Sequence, residues 1–184
     1  MKLLVGLFFV VIALILLGVL LISRDVFQNK SRNSAENYWA LALALDVLGL
    51  FCFGWYMATA QDFNQPTLIG AVANTAMMVA YIFQALNIRA LRKEISPKSK
   101  GLVIATVALI GAIWYVARQY TTPEQRTFGV AVFTSCVLTW QLLEIRFGKE
   151  SLWALEPIRA LFYLVLLEFA LTSVRAVIFS GMSP

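Results

Sequence analysis

Asp46, Glu168 and Arg175 each stand inside a long apolar run, the setting in which an ionisable side chain is most expensive and most informative. A charge at the centre of a bilayer costs about 2.5–3.5 kcal/mol on insertion scales, so such groups turn toward a bundle interior, a watery cavity or one another. Glu168, Thr172 and Arg175 fall at i, i+4 and i+7 and so share one stripe of a helix. Arg175 leans back toward Glu168, although an i, i+7 rise of about 10.5 Å demands a bridge between them. Asn74, Trp114 and Arg118 complete a candidate intramembrane polar site with these three, and Gln84, Tyr115, Trp140, Gln141 and Glu144 stand near it.

Three kinds of chemistry fit that set. An outward-facing pocket using Arg118 and Arg175 would recognise an anionic or carbonyl-bearing ligand, with Trp and Tyr supplying stacking area. Asp46, Glu168 and Arg175 at membrane depth would equally line a pathway in a small transporter or an oligomeric pore. Polar residues of this kind also join helices by hydrogen bonds with no ligand at all. Enzymatic chemistry is disfavoured. The chain has no histidine, which removes the commonest metal ligand, the usual general base and every Ser/His or Cys/His pair. An Asp46/Glu168 carboxyl pair is the remaining acid/base option, and it lacks a GxGD-like context. We therefore expect no enzyme, no metal and no cofactor.

The elements that must position these residues are six apolar stretches, at 3–22, 38–60, 67–91, 102–120, 127–146 and 159–180. A hydrocarbon core about 30 Å thick is crossed by roughly 20 helical residues. The fold expected is all-α, a polytopic integral membrane bundle of about six transmembrane helices, forming a single transmembrane domain over residues 1–184. With 60% hydrophobic and 14% charged residues, a chain of this size cannot hide its apolar surface from water. Its primary partner is the lipid bilayer. Cys52 and Cys136 lie inside apolar runs without CxxC spacing and read as buried small hydrophobes. The first stretch is too long for a signal-peptide core and lacks an A-x-A-like site, so we read it as a retained, peripheral span.

Charge sets the sidedness. Loops one, three and five carry eleven Lys and Arg residues against three on the opposite side, which places the former in the cytoplasm and both termini outside. The +5 net charge is thus a topological signal, and no nucleic-acid partner is expected. Asn74, Arg118 and Arg175 then belong to the outer half, Gln84, Gln141 and Glu144 to the cytoplasmic side. Arg89, Arg92, Lys93, Lys98 and Lys100 gather on a stretch expected to extend the third helix and break at Ser96-Pro97. They form a topology anchor or a cytoplasmic contact for anionic lipid or a partner. Pro66-Thr67 suits the opening of the third helix, and Thr122-Pro-Glu-Gln125 has the form of a capping box before the fifth. Spans two and three, and spans four and five, are expected to be antiparallel hairpins. Small residues such as Gly49, Gly54, Ala71, Ala73 and Ala76 permit close helix contacts, including those of a homo-oligomer.

Trp39 opens span two, Pro66-Thr-Leu-Ile-Gly-Ala-Val-Ala-Asn74 enters span three, and Asn87-Ile-Arg-Ala-Leu-Arg92 leaves it. With Pro123-Glu-Gln-Arg126 before span five and Arg175 late in span six, this arrangement resembles the multi-helix membrane sensor regions that precede GGDEF diguanylate cyclase domains in bacteria. The resemblance implies a multi-pass protein of the bacterial inner membrane that relays a ligand or membrane signal. Such sensors have seven spans and a cytoplasmic output domain, whereas this sequence has six spans and no GGDEF domain. The resemblance therefore implies a stand-alone relative signalling through a partner protein, a membrane subunit of a stress or phage-defence complex, or a truncated sensor.

Overall fold

The computed structural model describes residues 2–27, 34–59, 67–91, 95–146 and 156–180. It is an all-α bundle of six helices: α1 (Lys2–Phe27), α2 (Ser34–Thr59), α3 (Leu68–Ala90), α4 (Pro97–Tyr120), α5 (Pro123–Arg146) and α6 (Glu156–Ser180). Four of them, α1, α2, α3 and α5, are long and apolar enough to cross a bilayer, and α4 contains a shorter apolar segment, Gly101–Ala117.

The helix starts follow from their capping residues. Thr67 has an extended backbone and its side chain accepts the Gly70 amide at 3.1 Å, which satisfies a donor left unpaired by the first turn of α3. At α5 the capping box is complete: Gln125 N–H donates to Thr122 Oγ1 at 3.3 Å, and Thr122 N–H donates to Gln125 Oε1 at 3.1 Å. Pro97 departs from expectation. It opens α4 instead of merely ending an extended third helix, since its missing N–H costs nothing at a first helical position. α3 stops at Ala90, and α4 begins five residues before the expected 102.

α3 is the hub. Half of its most apolar window is buried in the bundle, against 11% for α1, and it packs on α2, α4 and α5. α1 is peripheral as expected, packing chiefly against α2, and α6 lies along α5. α2 and α3 form the expected antiparallel hairpin, with Asp46 opposite Gln84 and Gly49 opposite Ala73 and Met77. The other expected hairpin differs. α4 packs on α3, and its Trp114 joins Ala71 and Met78 in a buried cluster against which Val130 and Phe133 of α5 pack. A turn as short as Thr121-Thr122 constrains only the ends of two helices, and the large indole holds the rest of α4 to the hub.

Small residues set the closest approaches within the chain. A Cβ added to Gly6 would stand 2.8 Å from the Gly54 carbonyl oxygen, and one added to Gly54 would stand 2.9 Å from that of Gly6. α1 and α2 therefore cross backbone to backbone at this pair. Gly49 similarly admits α3, where its Cβ would meet Met77 and the Ala73 carbonyl. Gly49, Gly54 and Ala73 are thus used inside the protomer.

Candidate functional site

Two features of α3 organise the polar interior. The first is a ladder on its mid-region. Gln84 Nε2 donates to Asp46 Oδ2 on α2 at 3.1 Å. One turn earlier, the Tyr81 hydroxyl donates to Glu168 Oε1 on α6. Gln141 of α5, only 2% exposed, donates from Nε2 to the Tyr81 carbonyl oxygen at 3.2 Å. Tyr81 and Gln84 stand one turn apart on α3, so Glu168 and Asp46 are held at neighbouring levels of the bundle. Four helices thus contribute to one network, and each carboxylate accepts from a neutral donor on α3. The arrangement satisfies polar groups that would otherwise be costly in an apolar medium.

The second feature is a partly open cavity of about 420 Å³ between α1, α2, α3, α5 and α6. Phe9, Phe53 and Met57 form one wall, Met77, Met78 and Tyr81 another, with Val130, Thr134 and Thr172 closing it. Arg126 lines the end where α2 finishes and α5 begins, and Asn74 lies on the facing wall. A side pocket of about 40 Å³ adjoins that end and shares Asn74 and Arg126, with Trp114 on its far side. Arg126 Nε donates to the Thr122 carbonyl at 3.4 Å, which tethers the guanidinium to the first turn of α5.

The residues singled out by sequence divide accordingly. Asn74 lines the cavity, and Asp46 and Glu168 belong to the ladder behind it. Trp114 is 8% exposed and packs mainly as core, touching only the side pocket. Its neighbour Tyr115 points elsewhere, into an apolar groove of about 340 Å³ between α2, α3 and α4. The side chains of Arg118 and Arg175 lie outside the described residues, as do Arg92, Lys93 and the side chain of Lys100. Of the basic cluster, Lys98 is exposed on the first turn of α4. Arg89 Nη1 pairs with Glu144 Oε1 at 3.4 Å, and Trp140 Nε1 donates to the same oxygen at 3.2 Å, which ties α3 to α5.

Sequence reasoning missed two residues. Arg126 entered as a loop charge and as the end of the Pro123–Arg126 match, not as a site residue, yet it is the cation among the described residues that line the cavity. Tyr81 was not singled out, although Asn74, Tyr81 and Gln84 fall at i, i+7 and i+10 and mark one polar stripe down an otherwise apolar helix. Among the described residues no three His, Cys, Asp or Glu side chains group as a metal site would require. Comparison with known protein families, characterised proteins and solved structures finds no match, so the geometry of cavity and ladder is the ground for any functional reading.

Proposed function

We propose that this chain is a multi-pass integral membrane sensor or interaction subunit, non-enzymatic, that relays a ligand or membrane signal to a partner protein. The setting is the bacterial inner membrane with six spans and both termini outside, within a signalling, stress or phage-defence system. One observation carries the reading: Tyr81 lines the cavity and also holds Glu168, so an occupant that moves the phenol ring acts directly on α6. A ligand shifts such an equilibrium by the difference in its affinity for two helix arrangements. Gentle extraction from native membranes, followed by identification of what co-purifies, tests this. A stoichiometric partner, together with ligand-dependent accessibility of α6, is the expected result. A protein recovered alone with unchanging accessibility removes the reading.

A transporter or oligomeric pore is the second reading, favoured by Asp46 and Glu168 being bonded one turn apart along α3 at membrane depth. Flux into liposomes should then depend on Glu168, and an unaltered rate in Glu168→Gln would exclude that mechanism.

A further inference from the structure

We propose that the cavity between α1, α2, α3, α5 and α6 binds a small amphiphilic monoanion, a carboxylate carrying a medium-length chain or fused-ring body, with its head at Arg126. The inference deepens the sensor reading and rests on it for one point, that this cavity is where the signal enters.

The charge pattern selects an anion. Among the described residues that line the cleft Arg126 is the charged one, and Glu124, two residues back on α5, acts on it electrostatically from outside that lining. Arg126 sits in the first turn of α5, where the aligned peptide dipoles add positive potential. At the deep end the Tyr81 hydroxyl already donates to Glu168 Oε1, so it offers no proton to an anionic head there. Asn74 adds an amide on the wall that faces the head position.

The remainder of the lining selects an apolar body. From Arg126 to Thr134 the α5 wall rises about 12 Å. Three of the chain's five methionines, Met57, Met77 and Met78, line that length beside Phe53. Thioether chains have several rotatable bonds and polarisable sulfur, so they mould to apolar ligands of varied outline. The thin polar complement, set at one end of a greasy cleft, is that of a site for an amphiphile with a single head group. A free carboxylate and an anionic phospholipid share this chemistry, and the composition of the surrounding bilayer separates them.

Saturable binding of decanoate and 2-naphthoate to the full chain in phosphatidylcholine nanodiscs, corrected with empty nanodiscs, is the test. Decanoate should bind with a stoichiometry of about one and at least about tenfold more tightly than decanol or decyltrimethylammonium, as a charge-assisted contact requires. Arg126→Gln should weaken decanoate by about tenfold and leave decanol unchanged. Val130→Phe should abolish both, and Thr134→Leu repeats that test if the phenylalanine variant does not elute as a folded species. Equal affinity for the three decyl compounds, indifference to Arg126→Gln, or no saturable binding above empty nanodiscs would overturn the proposal. In nanodiscs containing phosphatidylglycerol, an unchanged decanoate affinity assigns the site to a free carboxylate, and competitive loss assigns it to the lipid. Arg126-dependent binding without any change in α6 accessibility would keep this site and remove the sensor reading. An α6 response to a partner, with no carboxylate binding, would do the reverse.

Discussion

The Tyr81 hydroxyl donates to Glu168 Oε1, joining the hub helix α3 to α6, whose helix neighbour is α5. Because the bond connects a cavity wall to an outer helix, its strength sets how firmly α6 is held. Tyr81→Phe leaves the carboxylate without its donor and should destabilise the protein by about 1–2 kcal/mol, the scale of interhelical hydrogen bonds in membranes. Glu168→Gln keeps an acceptor oxygen and should cost less. In a double-mutant cycle, Tyr81→Phe with Glu168→Leu should cost less than the sum of the two single changes. Unfolding midpoints in detergent supply the measurement.

Gln84 and Asp46 make a sharper distinction between structural and functional roles. Gln84→Leu strips Asp46 of its amide donor and should destabilise by about 1–3 kcal/mol. Asp46→Asn retains a side-chain oxygen to accept the Gln84 amide and removes a formal charge from the interior, so stability should hold or rise. A protein that becomes more stable as Asp46→Asn yet loses partner recovery or flux would show that the charge is kept for function.

The helices themselves were legible because each signal was local. Apolar run length placed all six within a few residues, and Thr67 and the Thr122/Gln125 pair marked two starts by chemistry confined to one turn. Packing was legible only where small residues left one solution, as at Gly49. The α4 placement was not, since a short turn says which ends are close and nothing about which face Trp114 chooses. The site was half legible. Asp46, Glu168 and Asn74 announced themselves as polar groups in apolar runs. Arg126 did not, because a cation at a helix start reads as a loop charge until the cavity beside it is seen. Tyr81 was hidden by its amphipathic character, which suits a membrane helix without comment.

The glycine crossing between α1 and α2 gives a stability contrast. Gly6→Ala or Gly54→Ala drives a methyl group toward a facing carbonyl that cannot move without its helix, at 2.8 and 2.9 Å. Each should cost about 1–3 kcal/mol and loosen α1, as overpacking of a tight contact does. Gly18 faces open space, with nothing within 4 Å of an added Cβ. Gly18→Ala should therefore be neutral, or stabilise by up to about 1 kcal/mol through helix propensity. Thermal unfolding of the three variants measures this contrast, with protease access to α1 as a second readout.

Sidedness decides from which compartment the Arg126 end of the cavity is reached. In a background with Cys52 and Cys136 replaced by alanine, Gln125→Cys, exposed at the start of α5, reports one end of the bundle. Lys98→Cys, exposed on the first turn of α4, reports the other. The excess of Lys and Arg around Lys98 predicts that an impermeant maleimide labels Gln125→Cys in intact cells and Lys98→Cys only after permeabilisation. The labelling pattern carries directly to the binding site, because Gln125 adjoins Arg126. Reversed labelling would turn the Arg126 end toward the cytoplasm and make any ligand of this cavity an internal one.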